Sequence, residues 1–200
     1  MKKGVRGIGK NARYYVNVKE TIMERRAYRS LQAVEITNEL IAELGKSAGL
    51  APSCFNKQPW RFVFVDDKVV LGKLFTAMSK GNEWTFDASM VIAVFSEKKL
   101  DCVIKERYYY LFDTGMAVAF LMLRATELGL VAHPIAGYDE EKAKSILNIP
   151  TGMRLITLVI IGEHSRETKP VLSEQQAEAE GERPPRLAFD KFAYRNSYNQ

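Results

Sequence analysis

A mixed domain of helices packed on a β-sheet is what this sequence predicts, and three observations predict it. Segments with helical spacing of apolar residues alternate along the chain with short β-rich runs such as "WRFVFV" (60–65) and "MVIAVF" (90–95). The 200 residues are 46% hydrophobic, enough for a single core without metal or disulfide staples. A long apolar segment from about 103 to 128, stopped by Gly129, must be buried on several sides, in the middle of the core or at a subunit interface.

The elements follow in order. Val18, Ile22 and Met23 open a first helix that runs into "ERRAYRSL" (24–31). "ITNELIAELGKSAG" places Ile36, Leu40, Ile41, Leu44 and Ala48 at helical spacing, with Thr37 as N-cap. After it comes a turn-rich loop, then the strand 60–65, a helix over "VVLGKLFTAM", and the strand 90–95. The segment 103–128 reads as one central helix. A loop "AHPIAGYD", a helix at about 139–148 and a buried strand "RLITLVIIG" (154–162) complete the body. The polar stretch from Ser165 to Arg186 looks disordered on its own, yet Phe189, Phe192, Tyr194 and Tyr198 follow it. Residues 165–200 therefore read as an arm that docks again, on its own subunit or on a partner. The expected organisation is a basic arm over 1–17, flexible, and one domain over 18–200.

Charge and cysteine content exclude several classes. The first thirty residues hold nine Lys and Arg against two Glu, so they carry +7 and the other 170 carry −2 of the net +5. Basicity confined to one end describes a solvated tail rather than a nucleic-acid surface. Within it, Gly4, Gly9 and Lys10 have P-loop spacing, but Asn11 stands where Ser or Thr is needed and no strand precedes. Cys54 and Cys102 form no CxxC pair, so neither a zinc site nor a disulfide framework is expected, and a reducing cytoplasm is the default. His133 and His164 have no ligand spacing, so no metal is expected. No apolar run approaches the roughly 20 residues of a membrane span.

The loop "APSCFNKQPW" (51–60) asks for a ligand. Pro52 and Pro59 fix its ends while Ser53, Asn56 and Gln58 set hydroxyl and amide groups between them, an arrangement that holds something polar.

Six stretches, "ERRAYRSL", "APSCFNKQPW", "NEWTFDAS" (82–89), "DTGMAVAFLMLRATELGL" (113–130), "HPIAGYD" (133–139) and "ERPPR" (182–186), resemble in order and spacing the nitroreductase family of FMN-dependent oxidoreductases over residues 18–198. The resemblance implies an α+β fold, a central mostly antiparallel sheet flanked by helices, and an intertwined homodimer with the long central helix and FMN at its interface. It implies that Arg25 and Arg26 bind the FMN phosphate with help from Arg186 and Arg183, and that Ala27, where relatives have Ser, offers only its backbone. Arg29 matches a cation near the pyrimidine edge of the flavin, where it favours the anionic reduced ring. Pro52, Ser53, Cys54 and Asn56 match a loop that wraps the flavin, and Asn82 matches an Asn that contacts the ring. Cys54, with no partner in view, reads as a small packing residue. Trp60 reads as core.

In "HPIAGYD", the turn Pro134, Ile135, Ala136 and Gly137 matches the one that aims a backbone N–H, here that of Ala136, at flavin N5. Many relatives hold a carboxylate at this position. His133 is either a proton donor near the ring or a structural residue, and His164 is expected in a loop. The function implied is hydride transfer from NADH or NADPH through FMN to a small oxidant such as a nitroaromatic or quinone, by a ping-pong cycle in which no side chain acts as nucleophile or general acid. Alternatives are a flavin-fragmenting or dehalogenating enzyme, or a non-catalytic flavin-binding protein.

Overall fold

An eleven-residue strand at the centre of the sheet organises the molecule. The structure is a computed structural model and describes residues 17–198, so the expected basic arm lies, but for Asn17, outside the described residues. In chain order the helices are α1 (Val18–Glu24), α2 (Asn38–Gly49), α3 (Lys68–Phe75), α4 (Tyr110–Glu127), α5 (Glu140–Ile146) and α6 (Glu174–Gly181). The strands are β1 (Leu31–Gln32), β2 (Arg61–Val65), β3 (Met90–Ser96), β4 (Val103–Ile104), β5 (Arg107–Tyr108), β6 (Leu130–Ile135) and β7 (Arg154–His164). In the main sheet β3 lies between β2 and β7, while β6 and β1 also pair with β7, and every pairing is antiparallel. The fold is α+β, as expected.

The alternation of side chains along β3 divides the core in two. Val91, Ala93 and Phe95 face one layer with Leu71 and Leu74 of α3 and Ala143 of α5. Met90, Ile92 and Val94 face the other, with Leu44 and Ala48 of α2 and Ala117, Leu121 and Ala125 of α4. The four-residue spacing on α4 sets one stripe against the sheet, and Phe112 and Phe120 on its other side are exposed. Among the described residues no helix is long and apolar enough to cross a membrane.

Several elements differ from the expected ones. The central helix begins at Tyr110, not near 103, because residues 103–108 form the hairpin β4–β5. Lys105 and Glu106 both take positive φ at its turn, the pair of left-handed residues that matches the twist of a two-residue hairpin. Both oxygens of Asp101 then accept the Tyr109 N–H at its base (3.1 and 2.9 Å). The first helix ends at Glu24, with Arg25 its C-cap, so "RRAYRS" lies outside the helix. "LVAHPI" is a strand, not a loop. Pro134 is tolerated there because β6 pairs only with β7 and has a free edge.

The polar arm contains α6, closed at its N-terminus by a capping box in which Ser173 and Gln176 each accept the other's backbone N–H. Beyond it, Leu187, Phe189 and Phe192 are exposed. Trp60 is buried, as expected.

Cys54 and Cys102 are joined by a disulfide across a Cα separation of 5.7 Å, which overturns the expectation of unpaired cysteines and of Cys54 as a packing residue. The two are 48 positions apart in sequence, and the fold closes that distance.

Candidate functional site

The extended segment after α1 meets the arm at α6, and this contact gathers positive charge. Arg183 donates to the carbonyls of Met23 (2.6 Å) and Arg25 (2.8 Å), which caps the C-terminal end of α1. Arg26 donates to the Ala179 carbonyl (2.7 Å), capping α6 in the same way, and lies over the Tyr28 ring at 4.8 Å. Arg25 stands beside Arg183, Arg186 and Arg26. Burial, first, and then those three cations hold its pKa below the ordinary guanidinium value. Among the described residues no carboxylate forms an ion pair with Arg25, Arg26, Arg183 or Arg186. Arg25, Arg26 and Arg183 are half-buried and Arg186 is exposed, and cations crowded without counter-charge have the chemistry to receive an anion such as a phosphate.

Glu180 fixes this segment. Its carboxylate, only 6% exposed, accepts the N–H groups of Arg29 (2.7 Å) and Ser30 (3.0 Å), and His164 Nε2 lies 3.6 Å away. The sequence alone gives Glu180 no special place. His164 was expected in a loop, but it ends β7 and stacks on Tyr28 at 3.6 Å between ring centroids. The available signal was "SEQQ" at 173–176, a capping-box pattern that marks a helix in the polar arm. Glu180→Ala leaves two backbone donors without partners. We expect a loss of about 2–4 kcal/mol, visible as a lowered melting temperature.

His133 lies on the same sheet face and couples the cluster to the end of β6. It is buried, stacks on Trp84 at 4.7 Å, and its Nδ1 lies 3.0 Å from the Tyr28 carbonyl, which fixes the proton on Nδ1. Burial is the largest influence on its pKa. The Tyr28 hydrogen bond and Glu180 oppose it, Arg29 and Arg25 reinforce it, and the result is a fall from 6.5 to about 4. His133 is therefore neutral at pH 7 and acts as a structural group.

The linkage has a definite sign. Between pH 6.5 and 4 the unfolded chain takes up a proton that the folded chain refuses, so this contribution is full above pH 6.5 and is lost as pH falls through that window. The difference amounts to about 3 kcal/mol. His133→Phe is expected to flatten the acid limb of stability against pH, measured by urea melts from pH 7 to pH 4.

From Trp84 the contacts run to the turn after β6. Trp84 Nε1–H donates to Asn82 Oδ1 (3.3 Å), and Asn82 Nδ2–H donates to the Gly137 carbonyl (2.8 Å). Both ends of the Asn82 amide thus bond within the protein. A side chain at 137 would strike Asn82 Nδ2, which is why glycine stands there. The peptide after Gly137 is pinned by this bond, the Ala136 carbonyl accepts the Tyr138 N–H (3.2 Å), and among the described residues no hydrogen bond uses the Ala136 N–H. Ala136 is exposed and lines a cavity of about 550 Å³ with Tyr110, Leu111, Tyr138 and Arg154. Burial raises the Tyr138 pKa to about 12, and its hydroxyl donates to the Leu155 carbonyl (3.0 Å). Ile135 is core, Pro134 is half-buried in the strand, and Ala27 is exposed between Arg26 and Tyr28. Arg29 lies 5.9 Å from the Trp84 ring centroid, with its pKa lowered by burial and partly restored by Glu180.

The remaining expected residues lie elsewhere. Pro52, Ser53, Cys54 and Asn56 belong to a loop held by Asp113 of α4, whose Oδ2 accepts the Cys54 N–H (2.9 Å). Ala51 and Trp60 at its ends pack into the α2–α4 layer, whereas Trp84 and Ile135 belong to the α3–α5 layer. No hydrogen bond or ion pair among the described residues joins this loop to the arginines, Asn82 or Gly137. One chain presents two halves of the expected site on opposite faces of the sheet.

Comparisons with known proteins agree with this architecture. A sequence profile of the Nitroreductase family matches residues 22–83 and 71–163. An Archaeoglobus fulgidus protein with the provisional name NADH dehydrogenase/NAD(P)H nitroreductase is 30% identical over 148 residues, 70% of this chain and 82% of that protein. An iodotyrosine deiodinase of Haliscomenobacter hydrossis is 28% identical over 183 residues, 78% of this chain and 81% of its own. A solved structure described as an oxidoreductase containing FMN superposes with a TM-score of 0.79 at 25% identity, covering 98% of this chain and 99% of that one. With the profile spanning more than half the sequence, this chain belongs to the nitroreductase family.

Proposed function

We propose that the protein is an FMN-dependent oxidoreductase that takes hydride from NADH or NADPH and reduces a small oxidant, a nitroaromatic or a quinone, in a ping-pong cycle. The observation that carries the reading is the uncompensated cluster of Arg25, Arg26, Arg183 and Arg186, linked through His133, Trp84 and Asn82 to an amide N–H left free at Ala136. FMN, when bound, supplies a ring that accepts hydride at N5 and passes two electrons on. Arg25 and Arg186 hold the phosphate end. Arg29 would supply positive charge near the ring, and the Ala136 N–H would be the donor for N5. The cavity beside Ala136 admits the two planar reactants in turn, with Tyr110 and Tyr138 as its walls.

A homodimer completes the site in this reading. The loop at 52–56 and the arginine cluster face apart in one chain, and the exposed Phe112 and Phe120 of α4 and the aromatic tail offer a surface for a second copy. Each FMN is then touched by both chains.

The test is the visible spectrum of the purified protein before and after NADH or NADPH. A flavin band that bleaches supports the reading, and a colourless protein that takes up no FMN overturns it. A band that neither nicotinamide bleaches marks a non-catalytic flavoprotein. The likeness to an iodotyrosine deiodinase favours a second reading, reductive dehalogenation, which halide release from an iodinated phenol would reveal. A flavin-fragmenting enzyme would instead lose FMN in the presence of oxygen.

A further inference from the structure

The loop at 51–58 is held in a conformation that its own sequence does not favour. Phe55, Asn56 and Gln58 have φ of 47°, 54° and 48°, a left-handed region costly to residues other than glycine. Within it the Asn56 and Lys57 N–H groups donate to the Ser53 (3.0 Å) and Cys54 (3.1 Å) carbonyls, Ser53 Oγ accepts the Gln58 N–H (3.0 Å), and Asn56 Oδ1 accepts from Gln58 Nε2 (3.0 Å). Other ties lead outward, the first from the Ala51 N–H to the Ala48 carbonyl of α2 (3.2 Å). The Cys54 N–H donates to Asp113, the Pro59 carbonyl accepts from Ser96 Oγ (2.8 Å), and Cys54 is bonded to Cys102. The last of these is covalent and open to exchange with thiols.

The other end of that bond stands on firm ground. Cys102 is buried, its N–H donates to Asp101 Oδ1 (2.6 Å), and the same carboxylate holds Tyr109, the residue before α4. Tyr110 and Leu111 of the next turn line the cavity beside Ala136. Cys54, in contrast, is half-buried beside the exposed Phe55, so an attacking thiolate reaches its sulfur first.

We propose that the Cys54–Cys102 bond is a reversible redox clasp that holds the 51–58 loop in its cofactor-binding shape and releases it when reduced. This rests on the proposed flavin function. In the reductive direction a low-molecular-weight thiolate attacks Cys54 Sγ, the Cys54–Cys102 bond breaks, and Cys102 leaves as a thiolate and takes a proton. A second thiolate displaces Cys54 from the mixed disulfide. The protein gains two electrons and two protons, and two small thiols become one small disulfide. The reverse exchange, driven by a small disulfide, closes the clasp.

The full-length protein is equilibrated in glutathione buffers from reducing to oxidising, and free thiols are alkylated and mapped by mass spectrometry. Two further quantities are read in each state: FMN affinity by fluorescence titration, and amide hydrogen exchange of residues 51–58 without FMN. The oxidised protein is expected to bind FMN at least tenfold more tightly and to exchange at least tenfold more slowly over this loop. Cys102→Ser is expected to give the reduced values in every buffer, and comparing the two states of the unmutated protein decides the matter if that variant folds poorly. Thiols that stay free in every buffer, a crosslink between chains, or equal affinity and exchange in the two states would overturn the proposal. If neither state binds FMN, the flavin reading falls and takes the cofactor half of the proposal with it, while exchange over the loop still decides the clasp.

Discussion

Ala136→Pro is expected to lower the rate of flavin reduction by NADH or NADPH about 100- to 1000-fold, the loss typical of removing one preorganised backbone donor from a reacting centre. Proline removes the N–H and leaves the rest of the turn in place. Ile135 before it is in a strand, the conformation a following proline requires, and the Tyr138 N–H still meets the Ala136 carbonyl (3.2 Å). Ala136→Glu keeps the amide, so reduction should change little. Its carboxylate would enter the cavity shared with Arg154 and alter which oxidants are accepted. Stopped-flow reduction of both variants checks this, and equal behaviour would place the hydride site elsewhere.

Arg25→Ala or Arg186→Ala is expected to weaken FMN binding about 10- to 100-fold, the equivalent of one charge-assisted hydrogen bond of roughly 1.5–3 kcal/mol. These two are the informative choices because Arg26 and Arg183 also cap helix ends, and their loss would disturb α6 and α1. Riboflavin, which lacks the phosphate, should bind nearly as well to the variants as to the parent. The double variant should lose less than the sum, since one anion is shared and water enters once the first arginine is gone. Titration of FMN against riboflavin checks both points. Unchanged FMN affinity after truncation before Gly181 would remove the arm from the site.

Local signals in the sequence determined much of this protein. Helical spacing and the Thr37 cap set α2, whose cap accepts the Leu40 N–H as the pattern requires. Apolar runs set β3 and β7, because a strand buried on both faces needs continuous apolar side chains, and the aromatic and β-branched run of "RFVFV" set β2. The order of six short motifs carried the family and named the candidate cofactor residues. What those signals left undecided depends on partners distant in sequence. Nothing near "DCVIKERY" says whether apolar residues turn as a helix or a hairpin. Asp101 holding Tyr109 and the turn at Lys105 and Glu106 decide it.

Glu180 is one acid among several in a polar arm until the fold sets it, 151 residues away, against the Arg29 N–H. Cys54 and Cys102 look unrelated until the loop before β2 and the hairpin before α4 are packed together. The same holds for the two halves of the site. Their residues were legible one by one, but that they lie on opposite faces of one sheet follows from which layer Trp60 and Trp84 each join, and that is a property of packing between elements rather than of any stretch of chain.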